Sequence, residues 1–264
     1  MKIQYRDASN LNIRAALHER FSTNPYSWSR WVFDQFDLPD EACILEIGCG
    51  DGKLWRENLG RLPEGWTVVL TDASPGMVRE SEQNLDAHMF DFRTADAQKL
   101  PFEDRSFDAV VANHMLYHVP DRPRAFSEIT RVLKPGGILY AATNGESGMR
   151  ELHWMLSVLA PTHLPEEGSE VLRAFSLESG LDQLTPNFAE VSLVRYEDKL
   201  AVTEAEPLID YVVSTIAIRE IMEQLPEGEF QTRVFGLRDV LERELSLNGA
   251  IRMTKDTGIF VARL

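Results

Sequence analysis

Three glycines at alternate positions follow a short apolar segment that ends in a carboxylate. The segment reads ILEIGCGDGKLW, with Glu46 before the turn and Gly48, Gly50 and Gly52 within it. Glycine lets a chain turn sharply and lets a ligand approach the backbone closely. A strand, a glycine turn and a helix in this order are typical of a nucleotide-type site at the carboxyl edge of a parallel sheet. We therefore expect this turn to bind a ligand.

The spacing of the glycines disfavours two common phosphate sites. In a dinucleotide-binding turn the third glycine comes three residues after the second, where this chain has Lys53. A P-loop has Ser or Thr after its Gly-Lys pair, and here Leu54 follows Lys53. The turn therefore predicts neither a nicotinamide oxidoreductase nor a P-loop.

Strands and helices are predicted to alternate around this turn. Apolar runs predict strands at residues 42–47, 67–70, 88–93, 107–113 and 138–142. The segment 123–133 has its apolar residues on one helical face, and the turn from Lys134 to Gly137 ends it. This alternation predicts an α/β fold with a doubly wound parallel sheet. Ligands bind such sheets at the carboxyl ends of the strands.

Five segments, in the right order, resemble the class I S-adenosylmethionine-dependent methyltransferases. The ExGxGxG turn resembles their motif I, and VVLTDASPGM, TADAQKLPF, SFDAVVANHMLYHVPD and RVLKPGGILYAATN resemble the segments that follow it. The resemblance covers about residues 40–145 well and the flanks weakly. It implies a Rossmann-like, mostly parallel sheet of seven strands and S-adenosyl-L-methionine as the cofactor.

The same resemblance implies a set of cofactor-binding residues. They are Glu46, Gly48, Cys49, Gly50, Gly52, Asp72, Ala73, Met77, Asp96, Ala97 and Asn113. Glu46 is expected at the amino end of the cofactor, and Asp72 at the two ribose hydroxyls. Asp96, with the backbone of Ala97, is expected at the adenine amine.

Structural roles stay open for several of these residues. Glu46 is alternatively the partner in a salt bridge, and Asp72 alternatively starts the helix that follows it. Met77 alternatively packs inside that helix, and Cys49 is interpreted as a small filler of the turn, not as a nucleophile. These alternatives differ in burial and in hydrogen-bond partners, which the sequence alone does not specify.

Two histidines after the fourth predicted strand are candidates for chemistry. His114 and His118 lie four residues apart, but no Glu stands beside the first and no third ligand is in reach, so we predict no metal site. Imidazole titrates near neutral pH, which makes His118 the candidate general base. The alternative is a loop histidine bonded to backbone.

A pocket for the methyl acceptor is predicted from side chains near the crevice. The candidates are Trp28, Trp31, His114, Tyr117 and His153. Residues 1–40 are expected to form a helical cap segment, and residues 41–264 the methyltransferase domain, with cap insertions at about 145–185 and 200–250. Strands are also predicted at 188–196 and 257–264, and the resemblance pairs the last one antiparallel at the sheet edge. Each aromatic residue is alternatively part of the core.

Composition limits the partners of this chain of 264 residues. Its formal net charge is −15, which disfavours nucleic acid and anionic membranes, because both are bound mainly through Lys and Arg. No apolar stretch has the length of a membrane span, and the segment MKIQYRDASN does not resemble a signal peptide. The two cysteines, Cys43 and Cys49, lack metal-site spacing, so a reducing cytoplasm is expected.

The sequence therefore predicts an S-adenosylmethionine-dependent methyltransferase with a small-molecule acceptor, methylated on oxygen, nitrogen or carbon. The chain has ANHM after the fourth strand instead of an NPPY-like tetrapeptide, which disfavours amide and nucleobase nitrogen. The alternative is a relative that binds the cofactor without transferring methyl, as a regulator or a cyclase. The acceptor and the oligomeric state stay open.

Overall fold

A computed structural model describes residues 9–159, 173–215, 218, 225, 226 and 228–264. The strands are β1 Cys43–Ile47, β2 Thr67–Asp72, β3 Phe90–Thr94, β4 Phe107–Asn113, β5 Leu133–Asn144, β6 Glu190–Tyr196, β7 Lys199–Val202, β8 Ile251–Thr254 and β9 Thr257–Arg263. Seven of them form one sheet in the order β3-β2-β1-β4-β5-β9-β6. The first five are parallel, and β9 runs antiparallel to both β5 and β6. The predicted α/β architecture and the antiparallel last strand are confirmed.

Helices surround this sheet. They are α1 Ser9–Phe21, α2 Trp28–Phe33, α3 Lys53–Arg56, α4 Pro75–Asn84, α5 Arg122–Val132, α6 Leu152–Leu159, α7 Gly180–Leu184, α8 Ala205–Val213 and α9 Glu229–Asn248. The hydroxyl of Ser74 caps α4, with proline at the first turn, as the sequence predicts. None of the helices within the described ranges has the length and apolar character needed to cross a bilayer.

Two predicted strand boundaries need correction. The third strand was expected at 88–93 and runs from Phe90 to Thr94. The fifth was expected at 138–142 but already begins at Leu133. Leu133 pairs with Phe107, and the register then shifts before Ile138 pairs with Ala109. The turn that ends α5 therefore lies inside a bulged strand.

The ribbon of β7 and β8 is absent from the sequence-based prediction. It continues β6 and β9 past a break, since Tyr196 pairs with Thr257 and, three residues on, Lys199 pairs with Thr254. Each strand has only four residues, too few to produce a clear alternating pattern. The edge of the main sheet thus extends into a second structural layer.

Apolar side chains form three buried clusters. Two lie on the main sheet, one around Leu45 and Phe126 and the other around Ile44 and Trp55. The third, which we call the cap core, combines residues of α1, α6, α8, α9, β7 and β8, including Leu17, Met155, Leu200, Leu208, Leu237 and Met253. Helix α2 packs instead on the sheet through Val32 and Phe33. We propose that the cap core, next to the sheet, is the centre of the predicted cap.

Candidate active site

The glycine turn adopts backbone conformations that require glycine. Gly48, Gly50 and Gly52 have φ values of +71°, +57° and +78°. A Cβ atom on Gly48 would lie 2.7 Å from Cβ of Met115, and one on Gly52 would lie 2.6 Å from Oγ of Ser81. The turn therefore fits closely against Met115, which follows β4, and against α4, so that a side chain at Gly48 or Gly52 would not fit there.

Asp72 lies at the end of β2 beside this turn. Its Oδ2 accepts a hydrogen bond from the amide of Gly50 at 3.2 Å, and its Oδ1 accepts one from the amide of Ser74 at 2.8 Å. Partial burial raises the pKa of this carboxyl, while the two backbone bonds lower it. Each oxygen keeps a further lone pair for a ligand hydroxyl. Asp72 thus orders the start of α4 and still has acceptor positions for a diol.

Glu46 is almost completely buried at the end of β1. Its side chain is 1% exposed, and its Oε2 accepts a hydrogen bond from Nε1 of Trp55 at 2.6 Å. Burial, with the charges of Asp72 and Asp51 adding to it, raises the pKa of Glu46 to about 8. It forms no ion pair within the described part of the chain, so the salt-bridge alternative is wrong. At neutral pH, Glu46 is therefore mostly a neutral acid.

The other residues predicted for the cofactor differ in exposure. Cys49, Met77 and Ala97 are buried, whereas Ala73 and Asp96 are exposed. Burial raises the pKa of the Cys49 thiol, which keeps it from acting as a nucleophile. The carboxylate of Asp96 accepts hydrogen bonds from the backbone and side chain of Gln98, which hold it at the loop surface.

The end of β4 meets α2 through aromatic side chains. The indole N–H of Trp28 donates to Oδ1 of Asn113 at 3.2 Å. The ring of Trp28 stacks on Trp31 at 5.2 Å and also contacts His114 at 5.0 Å and Tyr196 at 5.3 Å. We call Trp28, Trp31, His114 and Tyr196 the aromatic cluster. Three of its members were candidates from the sequence.

Sequence reasoning did not select Tyr196 or the ion pair beside it. Lys255 lies 5.2 Å from the Tyr196 ring, and its Nζ contacts Oδ2 of Asp198 at 2.6 Å. Asp198 also accepts hydrogen bonds from the hydroxyl of Ser22 at 2.7 Å and from the amide of Asn24 at 3.0 Å. These contacts join the break between β6 and β7, the turn before β9 and the N-terminal segment. No local pattern signals them, because the partners are far apart in the chain.

The remaining candidates lie in two places. Tyr117 and His118 belong to a single 3₁₀ turn after β4, and their rings meet edge to face at 4.5 Å. His153 lies on α6, whose buried face belongs to the cap core. Among the described residues no ring contact or side-chain hydrogen bond joins His153 to the aromatic cluster, so its predicted role gains no support. The described ranges also contain no group of three or more His, Cys, Asp or Glu that could hold a metal.

The part of the chain that carries most of these residues is similar to known methyltransferases. Residues 45–141, which include the glycine turn, Asp72, Asp96 and Asn113, match a family model described as a methyltransferase domain. A ubiquinone/menaquinone biosynthesis C-methyltransferase from Hahella chejuensis is 34% identical over 116 residues, which are 42% of this chain and 47% of that protein. Residues 45–141 of this chain are therefore similar to methyltransferase domains. The chain spans about half the length of the first curated relatives that it matches.

Two further relatives extend beyond the methyltransferase motifs. A trans-aconitate 2-methyltransferase from Variovorax paradoxus is 25% identical over 220 residues, which are 82% of this chain and 83% of that protein. A solved structure from Anabaena variabilis, a proposed methyltransferase of an antibiotic biosynthesis pathway, has a TM-score of 0.61. At 14% identity, with 89% of this chain and 96% of that one covered, it shows that the two chains share a fold.

Proposed function

We propose that this protein is an enzyme that transfers a methyl group from S-adenosyl-L-methionine to oxygen, nitrogen or carbon of a small molecule. The observation that carries the proposal is the Asp72 carboxylate, which is fixed beside the left-handed glycine turn. The names of the Hahella and Variovorax relatives, both methyltransferases of small organic molecules, support it. The absence of a nucleic acid partner and the cytoplasmic location stay predictions from composition.

The residues present fit this cofactor. Asp72 has one open acceptor position on each oxygen, which suits the two hydroxyls of a ribose. The glycine turn supplies a side-chain-free surface, and Glu46 and Asn113 at the neighbouring strand ends suit the amino acid part. Asp96 and the backbone of Ala97 would hold the adenine. We place Cys49, Ala73 and Met77 around the same ligand.

The bound cofactor would supply a methyl group activated by a sulfonium. The protein then has to hold the acceptor in line with that group and exclude water. The aromatic cluster at the end of β4 provides a rigid wall for this purpose, since Trp28 is held by Asn113, Trp31 and Tyr196. His118, in the turn that follows, would accept a proton from acceptors that must lose one.

Product analysis tests the proposal against the alternative of a binding-only relative. The protein is incubated with methyl-labelled cofactor and a panel of phenols, carboxylic acids, amines and enolisable ketones. We expect label in a new product together with an equal amount of S-adenosylhomocysteine. Tight cofactor binding without any labelled product across a broad panel would favour a regulator or a cyclase, and no binding would refute the proposal.

Replacement of Asp72 by alanine is expected to weaken cofactor binding by about 1–3 kcal/mol, or roughly 5- to 150-fold in Kd. The change removes the acceptor for the ribose and leaves the Gly50 amide without its partner. Calorimetry with S-adenosylhomocysteine measures the effect. Asp91→Ala, an exposed carboxylate on β3 paired with Arg93, is the control and should bind normally. Equal affinity in Asp72→Ala and the parent would leave Asp72 only as a helix cap.

Cofactor binding should release a proton from Glu46. Its pKa is about 8 in the free protein, so it is mostly protonated at about pH 7. The ammonium of the ligand favours the carboxylate form, which lowers this pKa in the complex. Affinity should therefore rise with pH up to about 8 and then level off. Above that pH, Glu46 is already ionised before the ligand arrives.

Calorimetry at pH 7 in phosphate and in Tris measures the proton release, because these buffers differ in ionisation enthalpy. The Glu46→Gln variant corrects for protons exchanged by the ligand itself, and it should release close to one proton fewer than the parent. Identical proton release in the two proteins would mean that Glu46 does not sense the ligand.

A further inference from the structure

His114 has a strained backbone and an unused hydrogen-bonding side chain. Its φ is +56°, a left-handed value that is uncommon for a residue with a Cβ atom. Its Nδ1 is fully buried and has no hydrogen-bond partner among the residues that the structure describes. Both features are unfavourable for folding, and such features collect at functional sites. Neither the left-handed backbone of His114 nor its unpaired Nδ1 is needed for the proposed role of any cofactor-binding residue.

The ring of His114 is fixed at the carboxyl edge of the sheet. It directly follows Asn113, the last residue of β4, and its backbone amide donates to the carbonyl of Ala142 in β5 at 3.1 Å. The imidazole packs against Trp28 at 5.0 Å with the ring planes tilted by 45°. Trp28 is itself anchored on Asn113. His114 therefore presents a preset polar group where the predicted acceptor would meet the cofactor.

The surroundings of this imidazole define the chemistry of its partner. Burial first, and then the charges of Lys255 and His18, lower the pKa of His114 to about 3, so the ring stays neutral. A neutral imidazole has one donor and one acceptor and offers no charge to a carboxylate. A cationic amine would have to lose its hydration beside this neutral ring, and Lys255, which lies against Tyr196, is already paired with the carboxylate of Asp198. A hydroxyl both donates and accepts, so it suits either tautomer of the ring.

We propose that His114 hydrogen-bonds a hydroxyl group of an uncharged acceptor through Nδ1, with the apolar part of the acceptor against Trp28. This assignment rests on the proposed methyltransferase function for the identity of the bound molecule as an acceptor. It names the substrate class as neutral, hydroxyl-bearing compounds with an apolar or planar body. It also makes His114 the residue that selects them over analogues without the hydroxyl.

Matched pairs of probe molecules test the assignment by binding, without knowledge of the natural acceptor. The pairs are phenol with toluene, 4-ethylphenol with 4-ethyltoluene, and 2-naphthol with 2-methylnaphthalene; benzylamine is the cationic probe. Affinities are measured by ligand-observed NMR, with and without saturating S-adenosylhomocysteine. In at least one pair we expect the hydroxyl compound to bind about tenfold more tightly, because its absence leaves the imidazole unpaired. Benzylamine should bind more weakly than phenol.

Two variants locate this preference at His114. His114→Phe keeps an aromatic ring against Trp28 and should bind both members of each pair equally. Glycine adopts a φ of +56° without strain, so His114→Gly should fold and should also lose the preference. Arg105→Gly is the matched control, since Arg105 has a φ of +55° and is exposed at the opposite end of β4. It should keep the parental preference.

The outcomes separate this assignment from the proposed function. A hydroxyl preference that His114→Phe or His114→Gly abolishes supports the assignment, even in a protein that fails to bind S-adenosylhomocysteine. The assignment is overturned when no pair shows a preference under either condition, or when both variants keep it. Binding of S-adenosylhomocysteine, measured separately by calorimetry, should be within a factor of a few of the parent in both variants. Its absence in the parent would refute the proposed function alone.

Discussion

Replacement of Gly50 by valine is expected to abolish binding of S-adenosylmethionine and its demethylated product. Gly50 has a φ of +57°, and its amide donates to Asp72 at 3.2 Å. A β-branched side chain strains this conformation and occupies the surface that the ligand must approach. The loss should exceed that of Asp72→Ala, because the valine excludes the ligand as well as removing a favourable contact. Calorimetry with ligand up to millimolar concentration should detect no heat of binding.

A control variant has to show that the backbone strain of valine at a left-handed position does not by itself abolish cofactor binding. Gly136→Val is the matched control, because Gly136 has a φ of +76° and a Cβ atom there meets nothing within 4 Å. It lies in the turn at the amino end of the paired part of β5, away from the glycine turn. This variant should fold, with a lower melting temperature, and should bind the cofactor. Normal binding by a folded Gly50→Val would show that the glycine turn is not the cofactor loop.

Replacement of His118 by alanine is expected to lower turnover by about 10²- to 10⁴-fold for an acceptor that must lose a proton. His118 lies five residues past Asn113, in the 3₁₀ turn after β4. Its ring meets Tyr117 edge to face at 4.5 Å, and its amide donates to the carbonyl of Met115 at 2.9 Å, which together restrict the side chain. Single-turnover rates with an acceptor from the product panel measure the loss.

Cofactor affinity distinguishes a base from a structural residue here. In His118→Ala it should stay within a factor of a few of the parent, since the proposed role begins only after both ligands are bound. His88→Ala, an exposed histidine outside the site, should keep full turnover. Full activity of His118→Ala would assign deprotonation to water or another group, and catalysis would then depend on positioning alone.

The sequence by itself determined the glycine turn and the parallel sheet. Both follow from short-range patterns: the apolar run before Gly48, the alternate glycines, and strands separated by helical segments. These patterns act through backbone conformation and side-chain periodicity within about a dozen residues, so they are readable without the fold. The predicted mostly parallel sheet of seven strands is confirmed, and residues 45–141 match a methyltransferase-domain model, as the resemblance implied.

Only the tertiary structure decided the charge state of Glu46 and the surroundings of His114. The neutral acid at Glu46 depends on complete burial, and the neutral imidazole at His114 on burial beside Lys255 and His18. Desolvation is a property of the packed interior, and no pattern of residue types along the chain measures it.

Tertiary packing also assembled the aromatic cluster and the ion pair beside it. Trp28 precedes the sheet, whereas Tyr196 ends β6, and Lys255 follows the short ribbon that local patterns failed to predict. These side chains meet because the N-terminal segment, the sheet edge and the cap core pack against one another. Such contacts depend on many weak interactions between distant segments, which is why the sequence predicted the glycine turn but not the full set of residues in the aromatic cluster.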